Sequence, residues 1–185
     1  MRSLAESGIV ERRRKGGTTV RADRGTRATL DIPVTRLEVE GRGDTYSYRL
    51  LSRKRTKSTA SITNTFGLSR PQETLRVTAL HLSNARPYTF EDRWISLKTV
   101  PEITEVDLAQ ESANEWLVCN RPYDRCDVEI FANACSAADA ARLKLAVGTA
   151  VLVIERTTWI GGAPITHVRA VSVPSYRLSA STIAK

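Results

Sequence analysis

Residues 59–89 and 136–166 of this 185-residue chain align without a gap when the first segment is shifted by 77 positions. The shift lays Phe66 on Leu143, Leu68 on Leu145, Leu75 on Leu152, Val77 on Ile154, Pro87 on Pro164 and Thr89 on Thr166. Each copy reads as a short helix followed by a hairpin, with turns at residues 83–87 and 160–164. Two helix–hairpin units in tandem restrict the chain to a pseudo-symmetric sheet of antiparallel strands with the repeat helices on one side. The expected class is α+β, an antiparallel sheet with flanking helices.

The remaining segments fit around that frame. Residues 22–44 are polar, contain Gly25, Pro33, Gly41 and Gly43, and suit a linker with a short strand at 35–39. An extended strand is expected over 46–55, and the first repeat helix over 60–68 with a stop near Gly67. Residues 101–107 read as irregular. Residues 111–118 read as a helix in which Ser112 and Glu115 have capping-box spacing. Residues 127–132 alternate as a half-buried strand does, and 175–179 suit an edge-closing tail.

Charge is unevenly spread. Residues 1–57 hold 15 basic and 7 acidic side chains, the whole of the net +8, while the remaining 13 of each sign cancel. A basic arm on a neutral body suits a phosphate-contacting segment joined to a module with another task; a solvated basic tail is the plainer alternative. With 41% apolar residues the body can bury a core. No run approaches the roughly 18 apolar residues of a membrane span, and the charged N-terminus lacks a secretory signal's apolar stretch. Cys119, Cys126 and Cys135 are odd in number and lack C-x-x-C spacing, which suits free thiols in a cytoplasmic protein. With two histidines, a zinc site is not expected, nor is a cofactor.

Catalysis is not expected either. The chain contains no G-x-S-x-G, H-E-x-x-H or phosphate-binding glycine loop. Glu91 and Asp92 are adjacent, so on a strand they face opposite ways. A small-molecule site is better supported. An odd-length loop in the first hairpin puts His81, Thr89 and Glu91 on one face. Burying them costs several kcal/mol unless they pair with each other, water or a ligand. Arg93 and Arg169 add positive charge nearby, or else form surface ion pairs. Ser112 either offers helix-start N–H groups to a carboxylate or simply caps its helix. Trp94, Trp116 and Trp159 read as core.

Residues 1–10 read as a helical end with a Gly8 stop and a short strand, and 11–20 as a strand, a basic Gly-Gly turn and a return strand. This order resembles the end of a recognition helix and the β-wing of a winged helix-turn-helix. Further on, Glu91-Asp-Arg93, Val100-Pro101, Asp107 and Ser112-Ala-Asn-Glu-Trp-Leu117 occur in order. They are followed by Glu155-Arg-Thr-Thr-Trp-Ile-Gly-Gly-Ala-Pro-Ile-Thr166, Arg169, Pro174 and Tyr176-Arg-Leu178. Together these resemble the GntR superfamily of bacterial transcriptional regulators, HutC subfamily, with a UTRA effector-binding domain.

The resemblance implies a chorismate-lyase-like sheet over residues 45–185, a linker over 23–44 and a winged-helix remnant over 1–22. The rest of the DNA-binding domain would precede Met1. It implies a repressor of histidine utilisation, working as a homodimer on operator DNA. Arg12, Arg13, Arg14 and Lys15 would be the wing's DNA contacts, able to meet phosphates but not to specify a sequence alone. Effector-binding positions would be His81, Glu91, Ser112 and Thr166, with Arg93 and Arg169 beside them. Sugar-phosphate sensors of the family carry basic residues on the first hairpin, where this chain has Ala79 and His81. That departure favours a smaller anion, urocanate, an imidazole ring with an acrylate tail. On this reading Glu91→Ala and Thr166→Ala weaken urocanate binding and leave the empty protein's melting temperature nearly unchanged. The alternatives are another small carboxylate, a dimerisation-only fragment, or a lyase-type enzyme on the same fold.

Overall fold

The structure is a computed structural model that describes residues 10–12, 18–20 and 34–178. Two compact units divide the chain, Met1–Asp31 with Ser179–Lys185, and Ile32–Leu178. In the first, strand β1 (Val10–Arg12) pairs antiparallel with β2 (Thr18–Val20), Val10 opposite Val20 and Arg12 opposite Thr18. The helical end expected over residues 1–9 and the turn residues Arg13, Arg14 and Lys15 lie outside the described residues.

The second unit opens with helix α1 (Thr35–Glu40) and strand β3 (Tyr46–Lys57). The first repeat follows as α2 (Ala60–Thr65), β4 (Glu73–Ser83) and β5 (Arg86–Ser96). A 3-10 turn (Pro101–Glu105) and helix α3 (Ala113–Asn120) lead to strand β6 (Arg125–Ala134). The second repeat is α4 (Ala137–Leu143), β7 (Ala150–Ile160) and β8 (Ala163–Ser172). The six long strands form one antiparallel sheet in the order β3-β4-β5-β8-β7-β6.

The duplication is plain in the backbone. A shift of 77 residues carries the bounds of β4 onto those of β7. It also carries the N-cap of α2 onto that of α4: the Thr59 hydroxyl accepts from the Ile62 N–H, and the Ser136 hydroxyl from the Asp139 N–H. Both hairpins slip register at the same place, between His81 and Leu82 and between Thr158 and Trp159. Asp92 is carried onto Arg169, its own cross-strand partner, so the pseudo-twofold passes through that pair.

Helices α2 and α4 share one face of the sheet, as the repeat requires. Ala140 and Leu143 pack on Leu80, Phe90, Val153 and Val171, while Ile62 and Phe66 pack on Trp94. The opposite face is covered by the single-copy connection. Leu75, Val77 and Ile95 of the sheet meet Val100, Ile103, Leu108, Ala113 and Leu117. The protein thus has a second helical layer that the repeat alone does not foretell.

Three expectations need correction. Residues 35–39 are helical, because Thr35 and Val39, both buried, lie one turn apart on one helical face. Val39 packs between Tyr88 and Tyr176. Among the described residues, the segment after β8 forms no edge strand; Tyr176 turns inward and its N–H bonds the Val173 carbonyl at 2.9 Å. The edges are β3 and β6. Strand β6 is therefore more exposed than half-buried, with Ile130 39% and Phe131 38% accessible.

The two hairpin tips differ in strain. Gly161 (φ 53°) and Gly162 (φ 77°) take positive φ freely, whereas Asn84 (φ 50°) and Ala85 (φ 61°) fill the matching positions of the first turn. Asn84 is compensated, because its side chain accepts from the Thr45 N–H at 2.9 Å and donates to Asp44 at 2.8 Å. Ala85 makes no such side-chain bond, and a left-handed alanine costs roughly 1–2 kcal/mol. Ala85→Gly is expected to stabilise the domain by about 1 kcal/mol, with Gly162→Ala acting in the opposite direction. Denaturant midpoints of the two variants check this.

Candidate functional site

Strand alternation decides what reaches the face beneath α3. Glu91 and Arg93 point to it, and Asp92, between them, points to the α2/α4 face, where Arg76 holds it at 2.9 and 2.6 Å. The register slip sets His81 opposite Thr89 and Ala79 opposite Glu91. His81, Thr89 and Glu91 therefore share one face, although the loop is the two-residue Asn84-Ala85 and not an odd one; the bulge supplies the extra residue.

There they join a continuous buried polar chain. Tyr46 hydroxyl and His81 Nδ1 are 2.8 Å apart. His81 Nε2 lies 3.7 Å from the Glu91 carboxylate, an electrostatic contact longer than a hydrogen bond. Arg93 Nη2 donates to both Glu91 oxygens at 3.3 and 3.2 Å, and to Asn114 Oδ1 at 2.8 Å. Arg156 Nη2 donates to the same Asn114 oxygen at 2.6 Å. His81 and Arg93 are each only 1% exposed. Several donors remain without a hydrogen-bond partner among the described residues: Arg93 Nε and Nη1, Arg156 Nε, His81 Nε2 and the Tyr48 hydroxyl.

The electrostatics follow from two guanidiniums facing one carboxylate. Burial alone would raise the Glu91 carboxyl. Arg93, then His81 and Arg156, outweigh it and hold the group well below the ordinary carboxylate range. Burial and then the like charge of Arg93 push the Arg156 guanidinium down to about 10, still protonated at neutral pH. Burial raises both the Tyr46 and Tyr48 phenols, with Glu91 adding to the shift. The site is a desolvated pocket with surplus positive charge.

Two small cavities flank Asn114. One, of about 20 Å³, is lined by Arg93, Asn114, Arg156, Thr158 and Thr166 among others. The other, of about 30 Å³, is lined by residues that include Thr35, Glu91, Asn114, Arg156 and Tyr176. Each has room for about one water, too little for a ligand while the walls stand as they do. A much larger cleft, of about 990 Å³, lies at the first hairpin's tip beside Arg42, Arg86 and Lys144. It is open to solvent and shares no residue with this polar chain.

The sequence-predicted positions are distributed as follows. His81, Glu91 and Arg93 come together. Thr166 lines the smaller cavity and donates to the Trp94 carbonyl at 2.9 Å. Ser112 caps α3, accepting from the Glu115 N–H at 3.2 Å, two residues ahead of Asn114. Arg169 falls on the opposite face, 3.3 Å from Asp139 of α4 and 3.8 Å from Glu155. Adjacent positions on β8 alternate, and Arg169 is opposite Asp92 rather than Glu91. Arg156 and Asn114 join the site without being anticipated from the sequence. The 77-residue shift carries Ala79 onto Arg156, so the site's second cation enters from the second hairpin.

Residues 41–176 match the UTRA domain. The chain belongs to the UTRA domain family. The histidine utilization repressor of Pseudomonas putida is 21% identical over 169 residues, covering 91% of this chain and 68% of that protein. The HTH-type transcriptional repressor NagR of Bacillus subtilis is 24% identical over 171 residues, covering 91% and 70%. Among solved structures, the C-terminal domain of histidine utilization repressor from Pseudomonas syringae pv. tomato has a TM-score of 0.70 at 20% identity, covering 76% of this chain and 100% of that one. PhnF from Mycobacterium smegmatis has a TM-score of 0.73 at 19% identity, covering 100% and 82%. The UTRA unit here is the effector-binding domain of a GntR/HutC-type transcriptional repressor.

This geometry argues against the expectation that Glu91→Ala leaves the empty domain's melting nearly unchanged. Removing the carboxylate strands Arg93 and Arg156 in a desolvated site, and breaking a buried ion pair costs about 3–5 kcal/mol. Because the folded-state pKa of Glu91 is depressed, its contribution is complete above the ordinary carboxylate pKa and is lost as pH falls through the depressed value. Glu91→Gln should therefore be much less stable than wild type at pH 7, and the gap should narrow with acidification. Urea unfolding of both proteins between about pH 3 and 7 measures it; a gap independent of pH would contradict it.

Proposed function

We propose that the domain senses a small carboxylate, urocanate, and that binding lowers the affinity of a homodimeric regulator for its operator. The carrying observation is the convergence of Arg93 and Arg156 on one buried oxygen, with further guanidinium N–H groups unpaired beside it. A buried surplus of positive charge favours an anionic ligand. Glu91 can accept from an imidazole N–H, while His81 and Thr166 complete the lining. The names of the histidine utilization repressors support the same assignment.

The effector shifts operator affinity only by its differential affinity for two domain arrangements. The basic arm supplies phosphate contacts through Arg12, Arg13, Arg14 and Lys15, and a dimer presents that arm twice. The protein is read as a cytoplasmic regulator without catalytic activity: Glu91, held ionised between cations, is unsuited to act as a general acid at neutral pH.

Calorimetric titration with urocanate, histidine and glucosamine-6-phosphate tests the effector. Urocanate is expected to bind tightest, and Arg156→Met to weaken it by about ten- to a hundredfold, the worth of one charged hydrogen bond. Tighter binding of the sugar phosphate would reverse the assignment, and turnover of urocanate or chorismate would make the protein an enzyme. For the arm, replacing Arg12, Arg13, Arg14 and Lys15 together by alanine should reduce the slope of log affinity against log salt by about 3–4 on duplex DNA. An unchanged slope would remove these residues from the interface.

A further inference from the structure

We propose that Asn114 is an internal stand-in for the effector's carboxylate, and that its displacement loosens α1 through Glu115 and Arg36. This rests on the carboxylate-sensing reading and adds to it how the ligand acts.

The Asn114 amide oxygen occupies the spot that both guanidiniums address, at 2.8 and 2.6 Å. It is a neutral acceptor between two buried cations. A carboxylate at the same spot adds a full negative charge opposite the two guanidiniums, where the amide oxygen offers only a dipole. The cavities on either side hold about 20 and 30 Å³, whereas small-molecule pockets begin near about 300 Å³. An incoming carboxylate must therefore part α3 from the sheet, and the amide is what it replaces.

Asn114 lies in the first turn of α3, and its neighbour Glu115 leaves that turn toward α1. The Glu115 carboxylate accepts from Arg36 Nε at 3.1 and 3.2 Å and from Arg36 Nη2 at 2.5 Å. Helix α1 has six residues and cannot persist by its own hydrogen bonds. It is held by Val39 between Tyr88 and Tyr176, by the Tyr176 hydroxyl donating to Glu38 at 3.3 Å, and by the Arg36–Glu115 pair. Thr35 and Tyr176 also wall the cavity beside Glu91 and Asn114. Moving the first turn of α3 thus removes one support of α1 and disturbs two others. Helix α1 is the first element of the sensing unit, at the point where the chain arrives from the basic arm.

The test uses the 185-residue chain, with urocanate and acetate as probes, calorimetry for affinity and hydrogen exchange at residues 35–40 for α1. Urocanate should speed exchange at α1 in the wild type. Asn114→Ala should speed it without ligand and bind urocanate at least about tenfold tighter, since the bonds from Arg93 and Arg156 to the amide oxygen no longer have to be broken. Arg36→Ala should show fast α1 exchange that urocanate no longer changes. Asn114→Asp, which supplies the carboxylate internally, should raise the melting temperature and block urocanate. Weaker binding by Asn114→Ala, or a lower melting temperature for Asn114→Asp, overturns the stand-in. Binding of urocanate with α1 exchange unchanged overturns the relay alone. If neither probe binds the wild type, the carboxylate-sensing reading falls, and the stand-in with it.

Discussion

Two arginines buried against one glutamate set the terms for this domain. A guanidinium taken out of water is tolerated only with compensating partners; Arg93 bonds Glu91, Arg156 feels that carboxylate across space, and both donate to the Asn114 amide oxygen. The arrangement ties three parts of the fold together: Arg93 and Glu91 come from the first hairpin, Arg156 from the second, and Asn114 from the connection between the repeats. The packing of α3 against the sheet therefore combines an apolar contact, through Ala113 and Leu117, with an electrostatic one that is incompletely satisfied. Stability and ligand response draw on the same groups.

The pseudo-twofold explains why a nearly symmetric sheet carries an asymmetric site. Asp92 and Arg169 sit on the axis and face the α2/α4 layer. On the other face, the symmetry-related positions have diverged: Ala79 matches Arg156, His81 matches Thr158, and Glu91 matches Val168. One hairpin supplies the anion and the imidazole, the other a second cation. The single-copy segment from Leu97 to Asn120 covers that face together with α1 and Tyr176. A duplicated frame thus supplies rigid, register-locked strands, and the unduplicated cover supplies the part able to move.

That division also bears on how a binding event is felt at a distance. Helices α2 and α4 are pinned by buried aromatic and aliphatic contacts, whereas α1 and α3 are short and joined by an ion pair in which Arg36 is 38% and Glu115 17% exposed. Ion pairs near the surface are weak and screened, so this link is a place where a small displacement changes contact without breaking the core. In this architecture the covering layer, rather than the sheet, is the natural carrier of a conformational signal.

Much is readable from residue order alone. The gapless 77-residue repeat specifies two helix–hairpin units, because helix caps, turn residues and alternation recur at matching positions. Alternation also separates Glu91 from Asp92, whereas the bulge between His81 and Leu82 is what puts His81 on the same face as Glu91. Short helix α1 reads as a strand, since a six-residue segment with apolar residues at mixed spacing carries no decisive period. Arg169 reads as a site residue because proximity along β8 does not reveal the face, which the β5–β8 register decides. Arg156 and Asn114 escape the sequence for a related reason: their role arises only where two hairpins and a connecting helix meet, and none of those separations is a sequence period. Local order determined the elements and their faces. Only the tertiary structure decided which charges are buried together, because desolvation and ion pairing depend on what lies across the fold.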